Sequence, residues 1–272
     1  MKRDLKLKKS SSLLEKTIEI AALGTASDLV PLTGENRLIV HHGFKKMKSN
    51  SCVGIKTLIK ATNIKNIAEI NVSNFNFKIA PLINAAGRVN DANIIVDLLT
   101  TEDDIQAAEI GNRLIRENKK RQFLQGIALK EALSRASLMK RETKLILLEN
   151  DGWHPGVIGI IAAKIKNKFK RPAIIITFDQ DGNGNGSARS LEGFNIYEIL
   201  SHLKGYFDSF GGHPFAVGFT IQKNNLELFK KDLLDHVNKT KFKITEKNLI
   251  LDGKLNLNDI NHQFITTLNY LA

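Results

Sequence analysis

A single cysteine, Cys52, leaves no partner for an internal disulfide and rules out a Cys-rich zinc site, which fits a reducing compartment. Long apolar runs are also missing. None reaches the roughly 18 residues of a membrane span, and no hydrophobic core follows the basic start MKRDLKLKKSS, so neither a span nor a signal peptide is expected. A soluble, cytoplasmic chain with no membrane association follows as the expectation. Acidic residues are few relative to basic ones: 28 Asp and Glu against 40 Lys and Arg give a formal charge of +12 and an isoelectric point near 9.6. That excess is larger than solubility requires and points to a polyanionic partner such as nucleic acid. Proline is scarce, and none of the 5 falls between Thr101 and Lys140.

What is present is a 42% hydrophobic chain of 272 residues, enough for one large or two modest domains, of which two is the expectation. A helical pattern starts at Leu13 and runs through Ile18, Ala21 and Leu23. A turn at Pro31 to Gly34 follows, then helical patterns over Asn36–Met47 and Gly54–Ala61. Thr101–Lys140 reads as one long helix, opened by Glu102, Asp103 and Asp104, whose charges complement the helix dipole. Its length suggests a bridge between domains. Its partial apolar stripe comprises Ile105, Ala108, Leu114, Phe123, Ile127, Leu133 and Ala136, while Arg113, Arg116, Lys119, Lys120 and Arg121 form a basic patch, either a solvated face or a strand-binding surface.

Beyond Lys140 the pattern alternates: strand Lys144–Leu148, helix Val157–Phe169, strand Ala173–Phe178, helix Phe194–Leu203, strand Ala216–Gln222, helix Leu226–Asn238. That alternation predicts a small α/β domain with a central sheet. Leu249–Leu257 alternates like an edge strand, and a further helical pattern carries Phe264, Leu268 and Leu271.

Five short motifs carry possible chemistry. Gly182–Gly186 with Ser187, Ala188, Arg189 and Ser190 is either a phosphate-binding loop or a simple hairpin loop. Gly211-Gly212-His213-Pro214 is a turn in which main chain and imidazole crowd one ligand, or a structural turn. In Trp153-His154-Pro155-Gly156-Val157-Ile158-Gly159 the glycines allow tight helix–sheet packing and the helix start is able to accept an anion. Pro81–Arg88 reads as a small-residue loop presenting Asn84 and Arg88; Arg88 either grips phosphate or pairs with Asp91 or Asp97. Leu23–Asp28 ends a helical run, so Asp28 is a helix cap or a metal ligand. Asp179-Gln180-Asp181 reads as a turn rather than a metal-binding pair.

The ordered set Leu23-Gly-Thr-Ala-Ser-Asp28, Leu82-Ile-Asn-Ala-Ala-Gly-Arg88, Gly152–Gly159, Gly186-Ser-Ala-Arg-Ser190 and Gly211-Gly-His213 resembles the RecJ family of the DHH phosphoesterase superfamily. The resemblance implies an α/β protein with four parts. Residues 1–100 are the tail of a DHH catalytic domain and 101–140 a long connecting helix. Residues 141–240 are a small DHH-associated domain with a central mixed sheet, and 241–272 the start of an oligonucleotide-binding domain. It implies 5′→3′ hydrolysis of single-stranded DNA, in repair and recombination, with two Mn²⁺ or Mg²⁺ ions that activate water and stabilise in-line displacement.

By the same resemblance Asp28 matches a metal-binding Asp, and Arg88 the motif before the connecting helix, with Asn84 beside it. Gly186, Ser187, Arg189 and Ser190 match a phosphate-contacting loop. Gly211, Gly212 and His213 match the turn that faces the metals, His213 as the catalytic candidate. The paired-Asp and Asp-His-His signatures of the family are not found upstream of Asp28, and His41-His42 lacks a preceding Asp. One carboxylate cannot hold two divalent ions, so the chain is expected to be inactive alone, with a separately encoded N-terminal half as one way to complete it. Two alternatives stand beside this: a non-catalytic single-strand-binding module, and a DHH phosphoesterase acting on short oligoribonucleotides or cyclic dinucleotides.

Overall fold

The computed structural model of the chain describes residues 10–28, 30–62, 64, 70–89, 91–140, 142–240, 242 and 251–271. The first part is helical: α1 (Ser10–Ser27), α2 (Gly34–Asn50), α3 (Val53–Ala61), α4 (Val72–Asn74), a π turn (Phe75–Ile79), α5 (Ala80–Val89) and α6 (Asn93–Thr100). Gly43 lets α2 lie directly on α1, since a Cβ there would stand 2.2 Å from the Ala22 Cβ. The buried Glu19 on α1 accepts the Cys52 N–H through Oε1 at 3.0 Å, anchoring the start of α3, where a carboxylate is favoured. Phe44, Met47, Ile55, Leu58, Phe75 and Leu98 fill the core between these helices.

The chain then runs into α7 (Asp104–Ser137). Its first turn is capped by Asp103 Oδ1, which accepts N–H bonds from Ile105 at 2.7 Å and Gln106 at 3.3 Å. The buried side of α7 is small-residue rather than branched. Ala107, Gly111 and Leu114 pack into the helical core, and Ala128, Ala132 and Ala136 into a second core under the sheet, so one helix joins both. The predicted bridge is there, but four members of the expected stripe point outward: Ala108 is exposed, and Ile105, Phe123 and Ile127 are 74%, 68% and 55% exposed. Close helix approach explains the swap, since at Gly111 even a methyl group would meet Thr57 Cγ2 at 2.6 Å.

After α7 come β1 (Ile146–Glu149), α8 (Pro155–Phe169), β2 (Ala173–Phe178), β3 (Asn183–Arg189), α9 (Ile196–Ser201), β4 (Phe207–His213), β5 (Ala216–Gln222) and α10 (Leu226–Lys239). The strands form one mixed sheet in the order β1-β2-β3-β5-β4, with β1 and β2 parallel and the other pairs antiparallel. Alternation along the strands assigns the two faces. Ile174, Ile176, Phe178, Ala188, Val217, Phe219 and Ile221 face α9 and α10, and Ala173 and Ile175 face α7 and α8. On that second face β3 presents Asn185, Ser187 and Arg189, and the register carries the same side onto Thr220, Gly218 and Ala216 of β5 and Ser209, Gly211 and His213 of β4. Half of the sheet is therefore packed, and half offers a ledge of polar and glycine positions.

Several sequence expectations need correction. Pro81–Arg88 is helix α5, not a loop; the wide π turn before it accommodates Pro81, which has no N–H to give. Gly184 and Gly186 are not in a loop but in β3. A Cβ on Gly186 would stand 2.1 Å from the Phe219 ring and one on Gly184 2.5 Å from Phe178, so these glycines make room for aromatic rings. Gly211, Gly212 and His213 end strand β4 rather than forming a turn, and the turn falls on Pro214 and Phe215. The expected edge strand Leu249–Leu257 lies partly outside the described residues; 251–256 carry no strand, and a 3-10 turn covers Leu257–Asp259 before α11 (His262–Leu271). The Asp179 turn is as expected: Asp179 Oδ1 accepts N–H bonds from Asp181 and Asn183 at 3.0 and 2.8 Å.

Candidate nucleic-acid interface

Where the end of α5 meets the start of α8, two helices touch through bare backbone. A Cβ on Gly156 would stand 1.8 Å from the Arg88 carbonyl oxygen, so only glycine allows the contact. Gly159, one turn on, would place its Cβ 3.1 Å from Arg189 Nη2 and 3.2 Å from Ser187 Oγ. The loop before α8 is fixed by Trp153, whose Nε1–H donates to Glu131 Oε2 at 3.0 Å and whose carbonyl accepts from Thr177 Oγ1 at 2.6 Å. His154 then caps α8, its Nδ1 accepting the Gly156 N–H at 3.0 Å, with Pro155 at the first helical position. The Gly156 donor is thus already committed, and anion recognition at this helix start passes to side chains.

Between these helices and the ledge lies an open cleft of about 410 Å³, lined by Arg88, Arg189 and Ser187 at one end and by Asn185, Ser209 and Thr220 further out. Arg189 donates from Nη1 to Ser187 Oγ at 3.0 Å and to the Ala188 carbonyl at 2.8 Å; Arg88 Nη1 reaches the Gly156 carbonyl at 3.4 Å. The pairing of Arg88 with Asp91 or Asp97 is not formed. Asp91 Oδ1 instead accepts the Asn93 N–H at 3.0 Å, at the start of α6. A third guanidinium, Arg121 of α7, is held by neutral acceptors only, Asn118 Oδ1 at 2.8 and 3.1 Å and Gln125 Oε1 at 2.9 Å. No ion pair among the described residues involves Arg88, Arg121 or Arg189. Burial, and after it the charge of Arg88, pull the Arg121 and Arg189 guanidiniums below the usual arginine range. Cations that repel one another, stay unpaired and retain spare N–H donors form a site for an anion.

The predicted residues divide. Arg88, Gly186, Ser187 and Arg189 come together in the cleft, and Asn84 lies exposed one turn before Arg88 on α5. Ser190 does not join them: it is buried, and its hydroxyl donates to the Phe194 carbonyl at 2.6 Å. Gly211, Gly212 and His213 are exposed at the outer strand, outside the residues lining the cleft, with His213 Nδ1 accepting the Phe215 N–H at 3.3 Å. Asp28 is exposed just after α1, its N–H bonded to the Gly24 carbonyl at 3.1 Å. In the sequence Arg121 is indistinguishable from Lys119 and Lys120; the amides Asn118 and Gln125, three before and four after it, are the signal that it is held in place. Ser209 and Thr220 carry no sequence signal and become visible only through strand register.

A family model for the DHHA1 domain matches residues 142–240, the part containing the whole sheet. Over 265 residues, 96% of this chain and 33% of the relative, the sequence is 35% identical to the single-stranded-DNA-specific exonuclease RecJ of Bacillus subtilis. The chain belongs to the RecJ family. The Escherichia coli RecJ is 32% identical over 228 residues, 80% of this chain and 39% of that protein, so the chain spans well under half the length of these relatives. RecJ from Thermus thermophilus, in a crystal structure with Mg²⁺, superposes with a TM-score of 0.73 at 30% identity, covering 84% of this chain and 35% of that one. A second structure of that RecJ contains Mn²⁺ and gives a TM-score of 0.74 at 30% identity over 85% of this chain and 34% of that one. Divalent metal is thus a property of RecJ relatives. In this chain, among the described residues, no three His, Cys, Asp or Glu side chains are placed to hold a metal, and Asp28 stands apart. This donor set does not fit a two-metal centre. No helix of the described residues is long and apolar enough to cross a membrane.

Proposed function

We propose that this chain grips the phosphorylated end of a single DNA strand, as the substrate-holding part of a RecJ-type 5′→3′ exonuclease of repair and recombination, and that alone it binds without cutting. The observation that carries the reading is the cleft in which Arg88 and Arg189 lie with Ser187 and without a carboxylate partner among the described residues. In this reading Arg189 and Arg88 contact phosphate oxygens as charge-assisted donors, Ser187 orients Arg189, Gly186 keeps the strand flat beneath them, and Asn84 flanks Arg88. Asp28 supplies one carboxylate to a Mn²⁺ or Mg²⁺ site whose other ligands lie outside the described residues. His213, with Gly211 and Gly212, faces that site when it is assembled. Ser190 serves the fold and not the strand. The four-part division, with a DHH tail over 1–100, a connecting helix over 101–140, a DHH-associated domain over 141–240 and an oligonucleotide-binding start over 241–272, belongs to the same proposal.

The test is a nuclease and binding assay of the purified chain on 5′-phosphorylated single strands with Mn²⁺. Binding that weakens with salt, without turnover, is expected. Sustained release of nucleotides by the chain alone would contradict the missing-ligand half of the reading, and absence of binding would contradict the phosphate half.

A further inference from the structure

The cleft is larger than its cationic end. Its volume of about 410 Å³ is open to solvent and extends along the strands beyond the arginines. Moving outward from Ser187, one register row along the strands, the lining changes from charged to neutral: Asn185 of β3, Thr220 of β5 and Ser209 of β4 stand side by side on one face. Neighbouring rows on one face are about 7 Å apart and neighbouring strands about 5 Å apart. That spacing separates a phosphate from the sugar and base edge of its own nucleoside. Thr220 Oγ1 and Ser209 Oγ share a hydrogen bond of 2.8 Å, which leaves the pair one further hydroxyl proton and free lone pairs. The Asn185 side-chain amide makes no hydrogen bond among the described residues and is exposed, so it offers both a donor and an acceptor.

The next row closes the ledge with negative charge. Gln222 Nε2 donates to Asp208 Oδ2 at 2.9 Å and to Asn183 Oδ1 at 3.2 Å, and Asn183 Nδ2 in turn donates to Asp179 Oδ2 at 3.1 Å. The cleft therefore runs from guanidiniums to neutral hydroxyls and an amide, and the carboxylates lie in the row beyond its lining. A second phosphate is disfavoured at the far end, and a neutral hydrogen-bonding group suits the middle.

We propose that Asn185, Ser209 and Thr220 form a nucleoside subsite that takes the sugar and base edge of the nucleotide whose phosphate sits between Arg88 and Arg189. This rests on the phosphate reading above and adds a direction: the phosphate lies toward α8 and the nucleoside toward β4. Its contribution is uncharged, so it tightens binding without steepening the salt dependence.

The test measures binding to the full chain of two probes, inorganic phosphate and a short 5′-phosphorylated single strand, with the Ser209→Ala/Thr220→Val double variant and, separately, the exposed Asn185→Ala. Affinity of the double variant for the strand falls about tenfold, and that of Asn185→Ala about threefold. Phosphate affinity, salt slope and melting temperature stay as in the unaltered chain. Should the double variant fail to fold, Asn185→Ala decides by the same readout. Unchanged strand affinity overturns the subsite, and so does an equal loss for both probes, which would report a collapsed cleft. Strand binding that both variants leave unchanged refutes this subsite alone; a chain that binds neither probe refutes the phosphate reading with it.

Discussion

Gly156 at the head of α8 and Arg88 at the end of α5 are in backbone contact: a Cβ on Gly156 would stand 1.8 Å from the Arg88 carbonyl oxygen and 2.8 Å from its carbon. The contact fastens the helical part of the molecule to the sheet part at the point where the two cleft arginines meet. Gly156→Ala forces α5 and α8 apart, since both partners are main chain. A cost of about 1–3 kcal/mol is expected, read as a lowered melting temperature, together with weaker phosphate binding as Arg88 is displaced. Gly126, an exposed glycine of α7 with nothing within 4 Å of its Cβ position, is the control. Gly126→Ala should stabilise by about 0.5–1 kcal/mol and leave binding alone.

The mutual repulsion of Arg88 and Arg189, added to burial, makes the empty cleft an electrostatic liability that a bound anion relieves. Inorganic phosphate at ten times its dissociation constant should stabilise the chain by about 1.4 kcal/mol, seen as a rise in melting temperature. Arg189→Gln should abolish that rise while leaving the unliganded protein no less stable. Arg189→Lys should restore only part of it, because an ammonium lacks the fork that engages Ser187 and an oxyanion together.

Arg121 contributes from behind. Asn118 and Gln125 fix its guanidinium, and it shares with Arg88 a repulsion that a phosphate screens. Arg121→Gln should weaken phosphate binding about three- to tenfold, less than Arg189→Gln does, whereas Lys120→Gln on the exposed side of α7 should change it little. Titration of phosphate against each variant by calorimetry checks the ranking.

Cys52 offers a test of the helical part that is independent of any ligand. Burial, with the nearby charge of Glu19 adding to it, pushes the thiol above its usual range. Alkylation by iodoacetamide at neutral pH should therefore be slower than for a free thiol, and the rate should climb with pH through a midpoint above the ordinary cysteine value. A rate like that of free cysteine would show that α3 does not hold Cys52 as described.

The alternation of strands and helices after Lys140 was readable because each element carries its own periodicity, and α7 was readable from its acidic start and uninterrupted run. The errors share one physical cause. Gly184 and Gly186 look like loop glycines in isolation, but they are strand positions that Phe178 and Phe219, remote along the chain or across the sheet, require to be empty. Pro81 looks like a breaker, yet it follows a π turn that no local pattern announces. The inward face of α7 is mostly alanine and glycine, with Leu114 and Glu117, whereas the large apolar side chains Phe123 and Ile127 face outward. At the cleft, Arg88, Ser187 and Arg189 were legible as members of motifs. Arg121, Ser209 and Thr220 were not, because their roles depend on helix packing and strand register and not on neighbours in sequence.

The most direct measurement is equilibrium binding of the intact chain to two single strands that differ only in carrying a 5′-phosphate or a 5′-hydroxyl, with and without Arg189→Gln. The phosphorylated strand should bind about ten- to a hundredfold more tightly, as expected for charge-assisted hydrogen bonds worth about 1.5–3 kcal/mol, and the substitution should erase the difference. Equal affinity for the two strands, or a preference that survives Arg189→Gln, would contradict the assignment of this cleft to a terminal phosphate.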